Sequence, residues 1–136
     1  MQKGAEKMEV DVRVSETDLL GHVNHANYFT YMEEGRLSFL KELGLQVENE
    51  NFSIMLASAK CDFIRQGHFN QTLIVNTKVT RVGNSSFNLG SDIIEKASGE
   101  LIAKGEVTIV YVDISKQKST PLKQSFREKL NQYLEG

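Results

Sequence analysis

The stretch Asp18–Leu40 reads D-L-L-G-H-V-N-H-A-N-Y-F-T-Y-M-E-E-G-R-L-S-F-L, and the fold turns on it. Its opening, as far as His25, is polar and glycine-containing. It gathers Asp18, His22 and His25, the densest set of chemically able side chains in the chain. Beyond Asn27 the period changes. Tyr28, Met32, Gly35, Phe39 and Leu43 recur at three and four residues, the spacing of one helix face. Phe29, Tyr31, Leu37 and Leu40 widen the apolar surface past a single stripe, which predicts a helix buried on most sides. Asn24 suits an N-cap and Gly44 a helix stop.

Outward from this stretch the period is two. Upstream, Met8–Val14 alternates apolar and charged residues, as a half-buried strand does. Downstream, Ser53–Ile64 places Met55, Ala57, Ala59, Cys61 and Phe63 on one face, small enough for the helix to approach closely. Leu73, Val75, Thr77 and Val79 form the next run. Gly83-Asn84 marks a reversal, read as a turn that uses the positive φ open to glycine. Phe87–Glu95 returns, and Leu101–Ile114 is the longest strand, with Leu101, Ala103, Val107, Ile109 and Tyr111 in register. On its other side Ile102, Val110, Val112 and Ile114 read as outward-facing apolar residues, suited to a second copy or to the last helix. Thr120-Pro121 reads as an N-cap and first turn, opening a helix to about Leu134 that carries Leu122, Phe126, Leu130, Tyr133 and Leu134. One strand, a helix, four strands with short reversals and a last helix predict an α+β layer fold with a five-stranded antiparallel sheet.

Composition narrows the function classes. At 136 residues a single domain over 1–136 is expected. Forty per cent apolar and 25% charged residues suit a packed globular core rather than disorder. Sixteen basic against 18 acidic residues, a net charge of -2, supply no field for nucleic acid. No apolar run approaches the roughly 20 residues of a membrane span, and neither end resembles a targeting or lipidation signal. With one cysteine, Cys61, no internal disulfide is possible, and a reducing cytoplasm is the expected location. Cys61 reads as a small core residue, since nothing near it in sequence would activate a thiol.

The segment carries D-x-x-G-x-V-x-x-x-N-Y at Asp18, Gly21, Val23, Asn27 and Tyr28. In this it resembles the hotdog-fold acyl-CoA thioesterases of the 4-hydroxybenzoyl-CoA thioesterase type. The run His25–Tyr28 followed by Tyr31 and Glu33 is most similar to the Tol-Pal-associated branch. The element order along the rest of the chain matches that fold. The resemblance implies hydrolysis of acyl-CoA to free acid and CoA, with no cofactor beyond the CoA of the substrate and no metal. It makes Asp18 the catalytic carboxylate, nucleophile or general base. The backbone amide at His25 would polarise the thioester carbonyl, as unpaired helix-start donors can. Gly21 would let the loop turn and a ligand approach. Dimers, often paired into tetramers with interfacial sites, are also implied.

Each residue has a plainer reading beside this one. Asp18 alone is a turn residue. His22 and His25 can organise the loop, and with Asp18 they could form a two-His, one-carboxylate metal set. His68 reads as a distant, solvated turn residue. Asn27 and Tyr28 anchor the helix start, with Asn27 able to touch substrate. Glu33 is either a helical carboxylate at the substrate or a solvated partner of Arg36. Arg81, Ser85 and Ser86 offer a cation, turn amides and hydroxyls to CoA phosphates, or form an ordinary hairpin. Arg65 and Lys60 are weaker phosphate candidates. Two other functions compete: a non-catalytic acyl-CoA or acyl-carrier binding module on the same fold, and a dehydratase. The single proline, Pro121, lies beyond the last strand and disfavours the second.

Overall fold

The computed structural model describes residues 6–44 and 52–134. The chain ends read above for signals fall partly outside that range. The strands are β1 (Glu6–Asp11), β2 (Phe52–Phe63), β3 (Thr72–Val82), β4 (Ser86–Glu95), β5 (Leu101–Asp113) and the two-residue β6 (Lys118–Ser119), with helices α1 (His25–Glu42) and α2 (Gln124–Tyr133). The main sheet has the order β1-β3-β4-β5-β2, all pairs antiparallel, and β6 is added to the end of β5. Apart from the short β6, which the alternation does not show, this is the expected five-stranded hotdog arrangement.

Helix α1 is held by burial. Its own propensity is modest, because Gly35 costs about 1 kcal/mol relative to alanine at mid-helix. Tyr28, Tyr31, Met32, Phe39 and Leu40 are all sequestered, and each large apolar side chain contributes roughly 1.5–3 kcal/mol on burial. Gly35 is there because of the sheet: a Cβ at that position would lie 2.8 Å from Val75 Cγ1. Gly105 on β5 likewise leaves room for the Met32 side chain. The close approach therefore happens at Gly35 and Gly105, not at the alanines of β2, which are exposed. The core has two parts. One surrounds the start of α1, with Val23, Tyr28, Tyr31, Leu73, Val75 and Ile93. The other surrounds its end, with Phe39, Leu43, Val79, Phe87, Phe126 and Leu130.

Several local expectations are corrected. α1 is buried on one side only: Leu37 is 50% exposed and Phe29 also faces out. β1 ends at Asp11, because Arg13 turns back onto Glu16 and starts a short 3-10 turn at Val14–Glu16. A β-bulge between Leu56 and Ser58 switches the faces of β2. Ile54 and Leu56, rather than Met55 and Ala57, therefore share a face with Ala59, Cys61 and Phe63. Ile102 is 2% exposed and joins the core instead of facing outward. Gly83 is not among the positive-φ glycines; its side chain is excluded by the close Arg81 guanidinium and Ser86 carbonyl. The last helix begins at Gln124 with Lys123 as its N-cap, because Thr120 and Leu122 still bond to Tyr111 and Asn84 in strand-like fashion. Asn24 caps α1 as expected, accepting from the Ala26 amide at 3.0 Å. Gly44 stops it with φ +79°, and the Lys129 ammonium donates to the terminal Leu43 carbonyl at 3.0 Å.

Candidate active site

The loop between β1 and α1 closes on itself. Thr17 pairs with Val23, the Asp18 amide donates to the His22 carbonyl at 2.8 Å, and the Gly21 amide donates to the Asp18 carbonyl at 3.1 Å. Gly21 takes φ +78°, with open space where a Cβ would point, so backbone conformation alone demands glycine there. The turn aims two amides at one carboxylate oxygen: Leu20 and His22 donate to Asp18 Oδ1 at 2.8 and 3.1 Å. Among the described residues Oδ2 has no hydrogen-bond partner. The Leu20 amide foremost, then the His22 amide and the imidazoles of His22 and His25, hold the Asp18 carboxyl below its ordinary range. Asp18 is exposed and ionised at neutral pH.

At the start of α1 the donors are distributed unequally. The Ala26 amide is taken by the Asn24 side chain and the Asn27 amide by the Asn24 carbonyl at 2.9 Å. The His25 amide has no partner among the described residues. It stands at the positive end of an 18-residue helix, the ordinary place for a free anion-binding donor. Beside it lies a cleft of about 110 Å³ lined by His25, Tyr28, Phe63, Ile64, Arg65 and Gln66. Phe63 is its apolar wall, stacked on the His25 ring at 4.5 Å and tilted against Tyr28 at 5.5 Å.

A second loop completes this end of the molecule. The Val23 amide donates to the Gly67 carbonyl at 2.8 Å, and the Gly67 amide donates to the Tyr28 hydroxyl at 2.9 Å. The β2–β3 connection is thereby pinned against the helix start. His68 is therefore not distant: its ring meets that of His22 edge-on at 4.8 Å. Among the described residues no three His, Cys, Asp or Glu side chains converge as a metal-binding group. Cys61 is half-buried, and its surroundings push the thiol pKa up, so it behaves as a packing residue.

A model of the thioesterase-like superfamily matches residues 12–130. The chain belongs to that superfamily. Among its relatives, an uncharacterised protein of Bacillus subtilis, YsmA, is 36% identical over 89% of this chain and 80% of its own length. The long-chain acyl-CoA thioesterase FadM of Escherichia coli is 25% identical over 91% of this chain and 96% of its own. The crystal structure of the 1,4-dihydroxy-2-naphthoyl-CoA thioesterase of Synechocystis superimposes with a TM-score of 0.86, covering 94% of this chain and 96% of that one at 24% identity, which shows a shared fold.

Asp18, Gly21, His25 and Asn27 are thus gathered at one end of this superfamily fold. Glu33 is not with them. It lies two turns along α1, about 12 Å at the usual rise, exposed and 3.7 Å from the Arg36 guanidinium. Arg81, Ser85 and Ser86 are further still. They form the β3–β4 hairpin over the core at the far end of α1, with Arg81 donating to Asn88 and to Ser86 Oγ at 3.1 and 2.7 Å. Within one protomer they do not meet Asp18. Lys60 faces Asp62 at 3.9 Å, whereas Arg65, paired with Glu100 at 3.7 Å, borders the cleft. The sequence reading missed Phe63, Gly67 and Glu16. Phe63 carried a signal, an aromatic ending a strand, but its partners are non-local.

Proposed function

We propose that this chain hydrolyses acyl-CoA thioesters to a free carboxylic acid and CoA. The observation that carries this reading is an ionised Asp18, with one oxygen free among the described residues, at the same loop–helix junction as a His25 amide that has no partner among them. That amide would donate to the developing oxyanion, and a preorganised donor there is worth roughly 10²–10³ in rate. Two routes use the carboxylate. As general base, Asp18 takes a proton from water while the water oxygen bonds to the carbonyl carbon; the C–S bond then breaks and the proton passes to the CoA thiolate. As nucleophile, an Asp18 oxygen bonds to the carbonyl carbon and displaces CoA thiolate, and water then cleaves the resulting anhydride to regenerate Asp18. Either needs no cofactor. Gly21 and Asn27 would border the thioester.

The HANY run supports placement in the Tol-Pal-associated branch of the 4-hydroxybenzoyl-CoA type, and the absence of a membrane-crossing helix among the described residues is compatible with cytoplasmic action. A homodimer, or a pair of dimers, is part of the reading. Among the described residues β2 ends the sheet with its outer edge unpaired and with Met55, Leu56 and Phe63 exposed, a surface that invites a further strand. A second protomer would also be the source of any Arg81, Ser85 or Ser86 contact to CoA, since the same chain's hairpin lies too far away.

A panel of acyl-CoA substrates assayed with wild type and Asp18→Asn tests the function. A loss of about 100-fold or more is expected on every hydrolysed substrate. Full activity in the variant would remove Asp18 from the chemistry. Binding of CoA thioesters by calorimetry with no turnover of any would establish the binding-module reading instead.

A further inference from the structure

Two residues before Asp18 the chain buries a carboxylate. Glu16 is 6% exposed, and nothing in the chemistry above uses it. Its Oε1 accepts from the Arg13 amide at 3.0 Å and from the Tyr31 hydroxyl at 2.9 Å, while Oε2 accepts from Arg13 Nε and Nη2 at 3.1 and 2.6 Å. Its own carbonyl accepts the Asn24 amide at 2.9 Å. One residue thus touches both ends of the Asp18 loop and, through Tyr31, the buried face of α1.

Stability alone is not a sufficient account. Burial works against the Glu16 carboxylate, but its hydrogen bonds from Arg13 and Tyr31 outweigh that cost and hold its pKa below the ordinary range. Arg13 stays largely exposed, so the ion pair by itself adds little. A carboxylate with four directed hydrogen bonds instead fixes the loop in distance and rotation, which an apolar contact would not. Such fixing matters here because Asp18 is exposed and held only by amides of its own turn. A displacement of about 1 Å at a reacting group can cost on the order of 100-fold in rate.

We propose that Glu16 is a positioning residue: through Tyr31 and Arg13 it locks the Asp18 loop onto α1, holding the carboxylate in register with the His25 amide. Its effect on rate rests on the thioesterase reading; its effect on the loop does not. The test uses Glu16→Gln, which preserves volume but faces an amide toward Arg13, and Tyr31→Phe, which removes only the helix bond. Both variants are expected to stay folded, with kcat lowered about tenfold for Glu16→Gln and less for Tyr31→Phe, and KM within about twofold of wild type. In the Asp18→Asn background Glu16→Gln should remove nothing further, since its effect passes through Asp18. Amide exchange at Leu20 and His22, whose N–H groups hold Asp18, should accelerate about tenfold while β4 amides keep their rates. Losses that multiply in the double variant, or unchanged kcat and unchanged exchange in both single variants, would overturn the proposal. If wild type hydrolyses no thioester while the Leu20 and His22 exchange still responds, the thioesterase reading fails and the positioning of Asp18 stands.

Discussion

Asp18 shows how much of a residue's chemistry lies in its neighbours' amides. A solvent-exposed aspartate is already ionised at neutral pH, so the turn is not needed to create the charge. What the Leu20 and His22 amides do is occupy Oδ1 and leave Oδ2 without a partner among the described residues, while lowering the carboxyl pKa. For the proposed chemistry the sign for activity follows: the reactive form would be the carboxylate, and a lowered pKa keeps it to more acid pH. The kcat/KM profile should therefore stay level on acidification until below about pH 4, the ordinary aspartate value. An acid limb centred well above that value would instead show that the essential base is not the Asp18 carboxylate. The turn at Asp18 and Gly21 was legible in the sequence because it is local, closed within four residues. The partners of His68 and Glu16 were not, because each meets a residue that only the folded chain brings near: His22 for one, Tyr31 for the other.

At the scale of elements, the helix–sheet contact is set by absent side chains. Gly35 faces Val75 and Thr77, and Gly105 faces Met32. Replacing Gly35 by alanine sets two effects against each other. Helix propensity gains about 1 kcal/mol, and overpacking against a β-branched residue on a buried strand costs about 1–3 kcal/mol. The contact is too tight, at 2.8 Å, and Val75 too confined for the gain to win. Gly35→Ala should lower stability by about 1 kcal/mol in denaturant unfolding, with the slope unchanged. A variant more stable than wild type would show that α1 can lift from the sheet without loss. β2 teaches the converse. Simple alternation assigned Met55 and Ala57 inward, but one extra residue at the bulge reverses every face upstream of it. Nothing in the alternation itself marks where such an insertion falls.

The whole molecule separates the residues assigned to catalysis from those assigned to phosphate binding. The loop with Asp18 and the helix start with His25 lie at one end of α1, and the hairpin with Arg81, Ser85 and Ser86 lies over the core at the other. A helix of 18 residues is about 27 Å long, and one protomer's hairpin and its own Asp18 loop stand at opposite ends of it. Light scattering at micromolar concentration is accordingly expected to give a dimer or tetramer. A monomer with full thioesterase activity would show that the site is complete in one chain. The sequence by itself determined the element order, the capped central helix and the loop motif. These depend on periodicity and on caps and turns of a few residues, interactions that the chain makes with its own neighbourhood. Only the tertiary structure decided which helix face is buried, which way β2 faces, that Gly67 and His68 close on the Asp18 loop, and that a buried Glu16 ties that loop to Tyr31. Those outcomes come from contacts between segments far apart in sequence, chosen by steric fit and by the need of buried polar groups for partners, and no local pattern encodes either.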